Sequence, residues 1–81
     1  MLYLIDKPHE ELALRTVRTD PDPTVVLVQD GVLLEPDVDA PVYAVRDDLE
    51  ARGITPPDPV EAIDYDDLVD LVFESPVKTF V

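Results

Sequence analysis

Apolar and polar positions divide the chain into short blocks, and the period of the pattern changes from block to block. Leu2-Tyr3-Leu4-Ile5 is apolar without interruption and stops at Asp6, the pattern of a strand covered on both faces. Asp6 is suited to cap a helix, and Pro8, Glu10 and Glu11 suit its first turn. That helix is expected to run to about Val17, with Leu14 and Val17 facing inward. Thr19-Asp20-Pro21-Asp22-Pro23 is a turn by composition. It leads into Thr24-Val25-Val26-Leu27-Val28-Gln29, the strongest strand signal in the chain. Val25 to Val28 show no polar alternation, and three of the four are β-branched. Such a strand belongs at or beside the centre of a parallel sheet.

Asp30-Gly31 follows at once, and two readings stay open. The pair is a hairpin signal, yet at the end of a parallel strand it also makes a tight turn with glycine at positive φ. Val32 to Asp39 leaves room for about one helical turn, not for a crossover helix of ordinary length. Pro41-Val42-Tyr43-Ala44-Val45 is the third strand. Asp47, with Glu50 three residues on, has the spacing of an acidic capping box and opens a helix holding Leu49 and Ala51. Gly53 sits where a helix C′ glycine belongs. Ile54-Thr55-Pro56-Pro57-Asp58-Pro59 is a stiff extended loop, and Val60 to Ile63 form a fourth strand. Asp64 caps the last helix, where Tyr65, Leu68, Val69 and Val72 share one face and Asp66, Asp67 and Asp70 take the other. Pro76 ends it, and the alternating tail Val77 to Val81 fits a short edge strand. The order predicts an α/β protein: a three-layer sandwich with a small, mostly parallel sheet of four to five strands and helices on both faces. One domain covers residues 1–81, with no internal repeat.

Composition sharpens this picture. A domain of 81 residues buries only about 60–65% of the surface its unfolded chain exposes, so it is marginal as a lone monomer. The absence of cysteine removes disulfides and thiolate metal sites, and a lone histidine, His9, removes the usual zinc and copper sets. Association remains as the remedy, so a homo- or hetero-oligomer is expected. Nineteen acidic residues stand against six basic ones, a formal net charge of −13. Direct nucleic-acid binding is not expected of such a surface. The acids are spread along the whole chain, which favours adaptation to high salt over a single surface for a basic partner. No apolar run approaches the ~18–20 residues of a membrane span, and the start of the chain lacks a basic leader region, so a cytoplasmic protein is expected.

Few residues offer chemistry. Gln29, Asp30 and Gly31 lie where open α/β sheets place their sites, although the same residues serve a required turn. Tyr43 and Tyr65 fit either interface anchors or the core. Asp47 and Asp48 could join Asp30 in a hard-cation site, but helix capping is the favoured reading. His9 has no nucleophile or carboxylate spaced to make it a general base. No catalytic residue, metal site or cofactor is expected.

Three segments, taken together, resemble the DsrH/TusB family. Val25-Val26-Leu27-Val28-Gln29-Asp30-Gly31-Val32 is similar to that family's apolar strand ending in Gln-Asp/Asn-Gly-Val. Val42-Tyr43-Ala44-Val45-Arg46-Asp47-Asp48-Leu49-Glu50-Ala51-Arg52-Gly53 resembles its Val-Tyr-Ala strand, acidic cap and Ala-Arg-Gly. Ile63-Asp64-Tyr65-Asp66-Asp67-Leu68-Val69-Asp70-Leu71 resembles its Ile-Asp-Tyr helix opening. The resemblance implies a DsrE/F/H-like fold and a place beside DsrE/TusD- and DsrF/TusC-like subunits that relay persulfide sulfur, toward tRNA wobble-uridine 2-thiolation or sulfur oxidation. In the catalytic sister subunits the cysteine lies at a strand end before a helix ending in Arg-Gly. Spacing back from Gly53 puts the corresponding place here at about Val45 or Arg46. With no thiol, the implied role is a non-catalytic subunit, the alternative being a stand-alone homodimeric module that keeps the fold without sulfur transfer. Gln29, Asp30, Gly31, Tyr43, Arg46 and Asp47 are the candidate binding or interface residues. The family often has a longer segment, frequently a helix, where this chain has only Val32 to Asp39.

Overall fold

The structure, a computed structural model, describes residues 1–81. Five strands form one parallel sheet: β1 (Leu2–Ile5), β2 (Thr24–Leu27), β3 (Val42–Val45), β4 (Glu61–Ile63) and β5 (Val77–Phe80), in the order β4-β3-β2-β1-β5. The Val25–Leu27 run makes β2 the central strand, buried along its length except at Thr24. Three α-helices connect the strands: α1 (Glu10–Arg18), α2 (Arg46–Ala51) and α3 (Tyr65–Glu74). Short 3₁₀ turns precede α1 at Lys7–His9 and follow β2 at Gln29–Leu33. Asp6 caps the first of these, its Oδ1 accepting the Lys7 N–H at 2.7 Å. The tail is indeed an edge strand, with Val77 in register with Leu2 and Phe80 with Ile5.

The short middle link resolves in favour of the parallel reading, not the hairpin, but Gln29 and not Gly31 takes the positive φ. Fourteen residues, Val28 to Pro41, join β2 to β3, and a parallel crossover needs about a dozen. A 3₁₀ turn and an extended arm therefore do the work of a helix.

Strand alternation sorts the core into two layers. Tyr3, Ile5, Val25, Leu27, Val42 and Ala44 point to one face, where Ala13, Leu14 and Val17 of α1, Val32 and Leu34 of the link, and Leu49 of α2 cover them. Leu2, Val26, Val45 and Ile63 point to the other, where α3 alone lies against them through Leu68 and Leu71. Val69 and Val72, which share the apolar face with Leu68, are exposed. The inward stripe of α3 passes through Leu68 and Leu71 instead, and no residue of this helix is fully buried. Ala51 is also exposed, leaving Leu49 as the one buried residue of α2.

Tyr3 ties the sheet to the α1–β2 turn. Its buried ring stacks on Phe80 with centroids 6.4 Å apart, and its hydroxyl donates to Asp20 Oδ2 at 2.8 Å. Burial first, and then the Asp20 contact, push the phenol up to about 12 from its ordinary value of 10.0. Asp20 moves the other way, because the Asp22 N–H and the Tyr3 hydroxyl both donate to its carboxylate. A phenol that holds its proton more tightly when folded stabilises fully below pH 10, and that contribution is lost as pH rises through about 12. Asp20 contributes the opposite limb: present above the ordinary carboxylate range, lost as pH falls through its depressed value. Urea unfolding followed from about pH 9 to about pH 12 should show wild-type stability falling, and Tyr3→Phe should flatten that fall.

Candidate functional site

The carboxyl ends of β2 and β3 carry most of the residues singled out by sequence. Gln29 leaves β2 at φ 52, a left-handed conformation that a non-glycine residue adopts at a cost. Its N–H donates to Asp48 Oδ2 at 2.8 Å, which holds the turn in place. Asp48 lies on α2 and Arg52, four residues on, caps its C-terminus; Arg52 reaches back to the turn, its Nε donating to Asp30 Oδ1 at 2.9 Å. Arg52 also donates to the Asp48 carbonyl oxygen at 3.1 Å and lies 3.8 Å from its carboxylate. Gly31, not Gln29 or Asp30, is the buried residue of the turn. A Cβ built on it would stand 2.1 Å from the Ile5 carbonyl oxygen, so the turn presses directly on the end of β1.

Asp47 does not cap α2. The strand runs into the helix without a loop, Val45 occupies the N-cap position and Arg46 is already helical. Asp47 therefore lies exposed in the first turn, where negative charge is still favoured. The alternative of a shared cation site also fails. Asp30 and Asp48 are drawn to Arg52, and no group of three or more acidic or histidine side chains converges anywhere in the structure. Val45 ends β3 fully buried, and Arg46, the adjoining position, pairs with Asp64 at the start of α3. A guanidinium thus stands at the strand end. Tyr43 is not part of this edge. It projects to the α3 face of the sheet, half-buried against the second core layer, whereas Tyr65 is half-exposed on α3 itself.

Arg52 was not singled out by sequence and Asp48 was read only as a helix cap or cation ligand, although their i, i+4 spacing was the available signal for the pair. The chain's largest hollow, about 530 Å³, lies elsewhere, over Lys7, Pro8, Glu10, Glu11, Leu14 and Arg18. Leu14 is its lone hydrophobic wall, so it is a wet surface groove and not the apolar pocket that holds small ligands. His9 is exposed at the start of α1, and its side chain makes no cap hydrogen bond.

The strand-end edge is therefore a structural clamp of carboxylates and guanidinium groups with no nucleophile in it. The family model for DsrH-like proteins matches residues 8–77, from the turn before α1 to the first residue of β5. The chain belongs to the DsrH family. No curated protein matches it. All three segments that carried the resemblance fall inside the matched residues, and two of them build the clamp: the Gln-Asp-Gly turn, and the helix ending in Ala-Arg-Gly that supplies Asp48 and Arg52. No helix of this DsrH-family chain is long and apolar enough to cross a membrane.

Proposed function

We propose that this chain is a non-catalytic subunit of a DsrEFH/TusBCD-like sulfur-relay complex, assembled with DsrE/TusD- and DsrF/TusC-like subunits in the cytoplasm. The observation that carries the reading is membership of the DsrH family in a chain without a single cysteine. Persulfide relay requires a thiolate to attack the outer sulfur and carry it away, and no other side chain replaces it. The sulfur therefore passes through the partners, and this chain contributes surface and shape. Its destination is tRNA wobble-uridine 2-thiolation or sulfur oxidation, the two branches the family serves.

On this reading the candidate residues divide by burial. Gln29, Asp30, Arg46 and Asp47 are exposed and available to a partner, Gly31 shapes the turn beneath them, and Tyr43 supports the sheet face under α3. Co-expression with DsrE- and DsrF-like subunits that carry the strand-end cysteine should yield one complex that survives affinity purification and size-exclusion chromatography. Recovery of this chain only as its own oligomer would point to a stand-alone homodimeric module and overturn the reading.

A further inference from the structure

The helix that crosses the second face of the sheet is apolar over more of its circumference than the sheet covers. At about 100° per residue, Leu71, Leu68, Val72, Tyr65, Val69 and Phe73 follow one another around an apolar arc of about 200°. A helix that only packs on a core needs a stripe of roughly half that width. Leu68 and Leu71 use one half of the arc against the sheet. The other half faces solvent: Phe73 is 86% exposed, Tyr65 50%, Val69 49% and Val72 38%. Five of the nine large exposed hydrophobic residues lie between Tyr65 and Val77, so the apolar surface is gathered here and not scattered.

Charge decides what covers it. Asp66, Asp67, Asp70 and Glu74 fill the remainder of α3, and residues 65–77 contain no lysine or arginine. A second copy docked face to face would set one acidic rim against an identical one, in a chain that already carries −13. A partner with an apolar groove rimmed by lysine and arginine meets both the strip and its border. The strip also starts at Tyr65, directly after the Asp64 that Arg46 pairs with, so it continues from the strand-end edge.

We propose that the outer strip of α3, Tyr65, Val69, Val72 and Phe73 with its acidic border, is the surface that docks a cysteine-bearing relay subunit through a basic-rimmed apolar groove. This deepens the subunit reading and rests on it. The test measures binding of the intact chain to its DsrE- and DsrF-like subunits, at low and high salt, for wild type, Phe73→Ser, the double variant Val69→Ser/Phe73→Ser, and Asp66→Asn/Asp70→Asn. Phe73 is too exposed to carry the fold, and circular dichroism checks that each variant stays folded. Expected are a loss of about tenfold or more for Phe73→Ser, a larger loss for the double variant, and weaker, less salt-sensitive binding for the charge variant. Wild-type binding with unchanged affinity in the α3 variants overturns the surface but leaves the subunit reading standing. Absence of wild-type binding overturns both. Self-association that strengthens with salt and is abolished by Phe73→Ser assigns the strip to a second copy and overturns the heterologous partner.

Discussion

Replacing Gly31 with alanine is expected to destabilise the fold by about 3 kcal/mol or more, at the upper end of what overpacking costs. The added methyl would meet the Ile5 carbonyl oxygen at 2.1 Å, with Ile5 C and Asp6 Cα just beyond it. All three are backbone atoms and cannot swing aside. The same carbonyl accepts the Val28 N–H at 3.0 Å, and the Gly31 N–H donates to the Val28 carbonyl oxygen at 2.8 Å, so moving the turn disturbs the ends of β1 and β2 together. For a domain of this size the melting temperature should fall by roughly 12–24 °C, read by circular dichroism in a salt concentration where wild type is folded. Gly53 supplies the contrast. It has φ 63 but nothing within 4 Å of an added Cβ, so Gly53→Ala should cost only the left-handed strain, about 1–2 kcal/mol. Equal effects at the two glycines would show that the turn does not press on β1.

Truncating Ile5 to alanine is the other large expected effect, about 2–5 kcal/mol. Ile5 is fully buried in the larger core layer, among side chains from the strands, α1, the link and α2. A small domain holds only about 4–12 kcal/mol in total, so this one change removes a large share of it. Chemical denaturation should show a lower midpoint with an unchanged slope. Because Gly31 rests on the Ile5 backbone, the two substitutions are neighbours, and the double variant should deviate from the sum of the singles. Phe73→Ser, by comparison, should leave stability within about 0.5 kcal/mol.

Much of this architecture was legible in sequence because burial on both faces leaves a continuous apolar run. Leu2–Ile5 and Val25–Leu27 could be read as strands for that reason, and the latter is the centre of the sheet. Pairing direction was harder. Asp30-Gly31 signals a hairpin locally, and only the fourteen-residue link and the register of Val25 with Val42 settle it as a parallel crossover. The inward stripe of α3 was not legible, for a different reason. Its apolar arc is wide enough to contain two stripes, and periodicity does not say which one meets the sheet. The capping role given to Asp47 failed because β3 and α2 join with no loop between them. At the strand-end edge, the turn residues could be named from sequence. The clamp that holds them could not, since the Asp48 and Arg52 contacts span 19 and 22 residues to Gln29 and Asp30.

A cysteine-free member of the DsrH family makes a sharp chemical case. The end of β3 presents a guanidinium, and the neighbouring turn is locked by carboxylates. Any contribution to sulfur transfer must come through assembly. The most direct measurement is sulfur transfer through the reconstituted complex, with the mass of every subunit determined after loading from a persulfide donor. The expected result is added sulfur on a partner's cysteine, none on this chain, and transfer that slows when this chain is left out. Sulfur found on this chain, or transfer at the same rate without it, would contradict a scaffold role.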